Sequence, residues 1–121
     1  MIASALKLLS LAALAIGVIF NTLGVVGILR FPDVYTRLHA DTKATTFGTI
    51  FTALSVVLFA FARELARPGI QFLDYALHVL FAVIVLAVTN ATAAHALARA
   101  AHKGGLRPKA RVDALAERGL E

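Results

Sequence analysis

The sequence predicts an all-α membrane protein: three transmembrane helices, with a short amphipathic interfacial helix between the first and the second. Three observations carry that expectation. Hydrophobic residues make up 60% of the 121-residue chain, well above the share in a soluble domain, and a soluble unit of this size could not hide so much apolar surface. Three windows, residues 8–29, 44–62 and 75–98, contain no Asp, Glu, Lys or Arg. As helices they would run roughly 33, 29 and 36 Å at about 1.5 Å per residue, enough to cross a hydrocarbon core about 30 Å thick. The charged residues fall between and after these windows, where headgroup anchors and topology signals sit. A backbone in lipid must satisfy its own hydrogen bonds, so uncharged runs of this length are expected to be helical.

The first window, 8–29, follows the single Lys7. A secretory signal peptide is the rival reading, but the run is long and no small-x-small site precedes a mature domain. It is therefore expected to stay as a span. Ser10, Ala13, Gly17, Asn21 and Gly24 recur at steps of three or four, placing small or polar residues on one helix face. Small residues let helices approach closely in lipid. A packing seam is the expected role, and a polar path lined by Asn21 is the sharper alternative.

Residues 30–43 form the connector. Pro32 suits the first turn of a helix, and Asp33 would then sit favourably on the helix dipole. Asp33 and Arg37, and Arg37 and Asp41, are four apart and can meet on a helix surface. Phe31, Val34, Tyr35 and Leu38 supply an apolar stripe on another face, so the connector is expected to lie in the membrane interface. Asp41 or Thr42 would cap the next span. That second span, 44–62, repeats the small and hydroxyl theme with Thr45, Gly48, Thr49, Thr52 and Ser55. Its Thr and Ser side chains can bond back to their own helix. Phe47, Phe51, Phe59 and Phe61 suit lipid or a neighbour.

Pro68-Gly69 marks a turn before the third span. Residues 75–98 hold His78, Thr89, Asn90, Thr92 and His95. An ionisable group inside a span is a functional candidate. His78 and His95 nevertheless lie about 25 Å apart along a helix axis, so they form neither a metal pair nor a direct relay. Residues 1–98 thus make one three-span domain. Residues 99–121 make a basic tail, broken by Gly104, Gly105 and Pro108, which is expected to rest on anionic lipid headgroups and to carry a short helix over 111–121.

Charge sets the expected orientation and excludes several functions. Arg30, Arg37 and Lys43 with Arg99, Lys103, Arg107, Lys109, Arg111 and Arg118 place nine basic residues on one side, against Lys7, Arg63 and Arg67 on the other. The positive-inside rule then puts the N-terminus outside and the connector and C-terminus in the cytoplasm. The net charge of +5 follows the span boundaries, so a nucleic-acid partner is not expected. Cysteine is absent, which removes thiolate chemistry and cysteine metal sites. There is no nucleophile elbow, phosphate-binding glycine loop or H-E-x-x-H, and His39, His78, His95 and His102 lack ligand spacing. No enzyme activity and no cofactor are expected. A stand-alone proton-coupled carrier needs a membrane carboxylate or its equivalent, and none of the windows supplies one.

The run G-I-L-R-F-P-D-V-Y-T-R-L-H-A over 27–40, followed by K-A-T-T-F-G over 43–48, resembles the signature of the G subunit of Mrp/Mnh/Pha-type multisubunit cation/proton antiporters. The similarity covers roughly residues 5–98 and includes Arg30, Phe31, Pro32, Asp33, Arg37, His39 and Ala40. It implies a small accessory subunit, in the inner membrane, of a hetero-oligomer that exchanges Na⁺ or K⁺ for protons. Its partners would be the other membrane subunits. The connector residues Arg30, Phe31, Pro32, Asp33, Arg37 and His39 are then expected to dock neighbouring subunits. A path for ions or protons through Asp33 or His39 is the alternative. Asn21, Thr52, His78, Asn90 and His95 are the polar candidates within the spans. A stand-alone pore former, or an anchor for a soluble partner, is the reading from another class.

Overall fold

The computed structural model describes residues 1–69 and 72–106. Within them the chain forms α1 (Ile2–Arg30), α2 (Val34–Ala66) and α3 (Phe72–Lys103). All three are long and apolar enough to cross a membrane. At about 1.5 Å per residue they extend roughly 43–50 Å, so each outruns a hydrocarbon core of about 30 Å. The expected helix over 111–121, and most of the basic tail, lie outside the described residues.

The connector differs from expectation. No separate interfacial helix forms: residues from Val34 onward are the first turns of α2, a single helix of 33 residues. Pro32 ends α1 instead of opening a helix. It forces the preceding residue out of helical geometry, and Phe31 is extended at φ −73°, ψ 143°. Asp33 is the N-cap of α2, its Oδ1 accepting from the Thr36 backbone N–H at 2.7 Å. Nothing after Asp33 breaks the helix, since residues 34–66 contain no proline. Asp41 and Thr42 therefore lie inside α2, and the Thr42 hydroxyl donates to the Leu38 carbonyl at 2.8 Å. Helix ends are set by backbone chemistry and do not follow the charges between 30 and 43.

The other boundaries follow local rules. Beyond α2, Gly69 adopts φ +110°, a conformation that favours glycine, and its N–H donates to Glu64 Oε1 at 3.2 Å. Beyond α3, Gly105 has φ +79°, and the Leu106 N–H returns to the Ala101 carbonyl at 3.0 Å. This is the left-handed termination typical of helix ends.

The helices run up, down and up with α2 in the middle. α1 and α3 each pack on α2 and do not touch one another. The α1–α2 contact is a seam of small residues: Ser10, Ala13, Gly17, Gly24 and Gly27 are buried from α1, and Ala44, Gly48 and Ser55 from α2. Lipid is as apolar as these side chains, so close approach and dispersion hold the pair. A methyl group added at Gly27 would lie 2.9 Å from Ala40 Cβ, and one at Gly24 would overlap Ala44 Cβ. Beside the seam Phe20 stacks on Phe47 and Phe51, at centroid distances of 5.4 and 6.3 Å. α3 is held more lightly. Phe61 meets Phe72 at 5.4 Å, the Tyr35 hydroxyl donates to the Leu106 carbonyl at 3.0 Å, and none of the most apolar stretch of α3 is buried within the chain.

Candidate functional site

The candidate residues fall into three places. The first is the turn between α1 and α2. Arg37 Nε donates to the Phe31 carbonyl at 2.7 Å, and the Thr36 hydroxyl donates to the Asp33 carbonyl at 3.0 Å. With the Asp33 cap, these bonds fix the angle at which α1 gives way to α2. Arg30, Phe31, Pro32, Arg37 and His39 are all exposed, and Asp33 is half-buried. Arg30, Phe31 and His39 border a groove of about 610 Å³ that runs down the α1–α2 face past Phe20 and Phe47.

The second place is mid-seam. Asn21 and Thr52 both lie against Gly48. The Thr52 hydroxyl donates to the Gly48 carbonyl at 2.7 Å. A Cβ built on Gly17 would come within 2.6 Å of that hydroxyl, and one built on Gly48 would overlap the Asn21 carboxamide. Both polar side chains therefore lie at the α1–α2 contact. Asn21 itself stays exposed on its outer side.

The third place lies between α2 and α3. Asn90 Nδ2 donates to the Thr45 hydroxyl oxygen at 2.9 Å. This pair borders a cleft of about 420 Å³ that also takes in Thr46, Thr49 and Thr89. Three of these hydroxyls donate to their own helix: Thr45 to the Asp41 carbonyl, Thr46 to Thr42 and Thr89 to Val85. Their lone pairs remain for an incoming donor such as Asn90. The sequence displayed this threonine cluster at 45, 46 and 49 but did not say that Asn90 would face it. Only the α2–α3 packing makes the pair.

His78 and His95 join none of these places. His78 Nδ1 lies 2.8 Å from the Asp74 carbonyl and 3.4 Å from its carboxylate, and its side chain is exposed. His95 is exposed on α3. Among the described residues no group of three or more His, Cys, Asp or Glu side chains could hold a metal ion.

Three comparisons bear on this geometry. The PhaG, MnhG and YufB family, described as Na+/H+ antiporter subunit, matches residues 13–102. The UPF0091 protein PH1428 of Pyrococcus horikoshii is 52% identical over 117 residues, covering 96% of this chain and 97% of that protein. The Na(+)/H(+) antiporter subunit G1 of Staphylococcus aureus is 32% identical over 111 residues, covering 90% and 87%. Among solved structures, a chain of the membrane-bound sulfane sulfur reductase, an archaeal respiratory membrane complex, superposes with a TM-score of 0.63. It is 28% identical and covers 96% of each chain.

Proposed function

Because the chain belongs to the PhaG, MnhG and YufB family of Na+/H+ antiporter subunits, we propose that it is a small accessory subunit of a multisubunit Na⁺(K⁺)/H⁺ antiporter in the inner membrane. The observation that carries this reading is the open row of helices: among the described residues α3 rests on α2 alone and leaves its apolar length free. A helix so placed suits packing against other membrane subunits. The apolar stretches also lack Asp, Glu, Lys and Arg, so the groups that move protons would belong to its partners. The family points to a transporter rather than an enzyme.

On this reading the turn at Arg30–His39 docks neighbouring subunits, its exposed Arg37 and His39 reaching across an interface and Asp33 fixing the turn. The N-terminus lies outside, and the turn and C-terminus lie in the cytoplasm. Purification from native membranes in mild detergent tests the reading. The chain should co-purify with other membrane subunits, and recovery of self-oligomers only would overturn it. Within the complex, Asp33→Ala and Arg37→Ala should lower complex recovery and sodium-dependent proton exchange together. Asp33→Asn keeps the cap and should restore recovery if capping is its role. A complex that assembles normally but has lost exchange would instead assign the turn to ion or proton access.

The similarity to a chain of a respiratory membrane complex favours a second reading, the same three-helix subunit in a redox-driven assembly. Redox-active subunits in the purified complex would select it.

A further inference from the structure

The groove beside the α1–α2 turn is amphipathic along its length. Its floor is the glycine and alanine seam, and its walls include Leu23, Val26 and Phe47. Its basic rim is Arg30, His39 and Lys43, which step down the groove, since Ala40 faces Gly27 and Ala44 faces Gly24. Arg30 directly follows the uncharged stretch 8–29 and Lys43 directly precedes 44–62, so the basic rim lies at the membrane surface. The floor reaches Phe20, about 15 Å deeper by helical rise. Among the described residues none of the three rim side chains forms an ion pair. Of the nearby acids, Asp33 accepts the Thr36 N–H through Oδ1, and Asp41 stands about 200° around the helix from His39. A cationic rim over an apolar trough is complementary to a ligand with one anionic end and a long hydrocarbon remainder.

We propose that this groove binds an anionic phospholipid, its acyl chain along Leu23, Val26 and Phe47 and its phosphate-bearing headgroup against Arg30, His39 and Lys43. The headgroup supplies a counter-charge where, among the described residues, the rim has no ion pair. The chain lies in the concavity over the close contact of Gly24 and Gly27 with Ala44 and Ala40. The bound lipid would brace the turn from the side opposite Asp41, in addition to the docking role of that turn.

Lipid titration of the purified full-length chain in detergent, read by native mass spectrometry, tests this with phosphatidylglycerol and phosphatidylcholine as probes. Phosphatidylglycerol should be retained in preference. Arg30→Gln with Lys43→Gln should weaken its binding about thirtyfold and leave phosphatidylcholine unchanged, on the usual contribution of a basic residue near an anionic surface. Val26→Trp narrows the groove without altering charge and should weaken both lipids. Neutralising the tail, with Arg107→Gln, Lys109→Gln and Arg111→Gln, should leave the preference intact. Equal retention of the two lipids by the unaltered chain overturns the proposal. So does a preference that follows the tail and ignores Arg30 and Lys43. If Val26→Trp leaves lipid binding intact but displaces another subunit from the purified complex, the groove belongs to a protein helix and the lipid assignment falls.

Discussion

Single residues in the α1–α2 seam differ in what stands opposite them, and that sets their tolerance. At Gly24 an added methyl meets Ala44 Cβ, which is fixed to the backbone; at Gly48 it meets the movable end of Asn21. Gly24→Ala should therefore force the helices apart and destabilise the pair by about 1–3 kcal/mol. Gly48→Ala should cost clearly less, because the carboxamide can swing aside. Ala44→Gly combined with Gly24→Ala should recover most of the loss. Thermal unfolding in detergent measures all three, and equal costs at Gly24 and Gly48 would contradict the packing. The spacing of Ser10, Ala13, Gly17 and Gly24 made the seam legible, since a period of three to four marks one helix face. What stands opposite each glycine was not legible, because register between two helices is a relation that neither segment encodes alone.

At the scale of elements, the turn and the start of α2 are where expectation and structure part. Charge density at Arg37, Asp41 and Lys43 suggested a helix distinct from the span. The backbone runs through, with the Thr42 and Thr46 hydroxyls returned to their own helix. The two arrangements differ in how they tolerate proline. Inside a continuous helix Thr42→Pro removes a hydrogen bond and clashes, at a cost of about 3 kcal/mol or more. In the first turn of a separate span it would be nearly harmless. Melting of the full chain in detergent should show the large loss. A melting point unchanged by Thr42→Pro would restore the two-helix connector.

At the scale of the whole molecule, the described residues form a row of three helices with α2 shared. The first pair is tightly interlocked and α3 is attached through Thr45–Asn90, the Phe61–Phe72 contact and the Tyr35–Leu106 bond. Such an open arrangement fits a component, since a closed bundle would turn more of α3 inward. Sidedness is likewise a property of the whole chain, and the proposed orientation follows from the distribution of its basic residues. The chain has no cysteine, so single substitutions report cleanly. Ser4→Cys should react with an impermeant thiol reagent in intact cells and Gly119→Cys should not. Labelling of Gly119→Cys from outside would invert the topology.

A multi-pass helical membrane protein, and its family, were already legible in the amino-acid order. The length of an uncharged run against bilayer thickness is a one-dimensional property, and the motif over 27–48 is contiguous. The tertiary structure decided that the connector is the first part of α2, that Asn21 and Thr52 lie against Gly48, that Asn90 answers Thr45, and that a basic-rimmed groove opens beside the turn. The last three depend on which helix faces meet, whereas the continuity of α2 follows from the absence of a helix breaker after Asp33. In a chain where lipid and protein interior are equally apolar, composition does not reveal which face turns inward; only the close fit of backbone against backbone does.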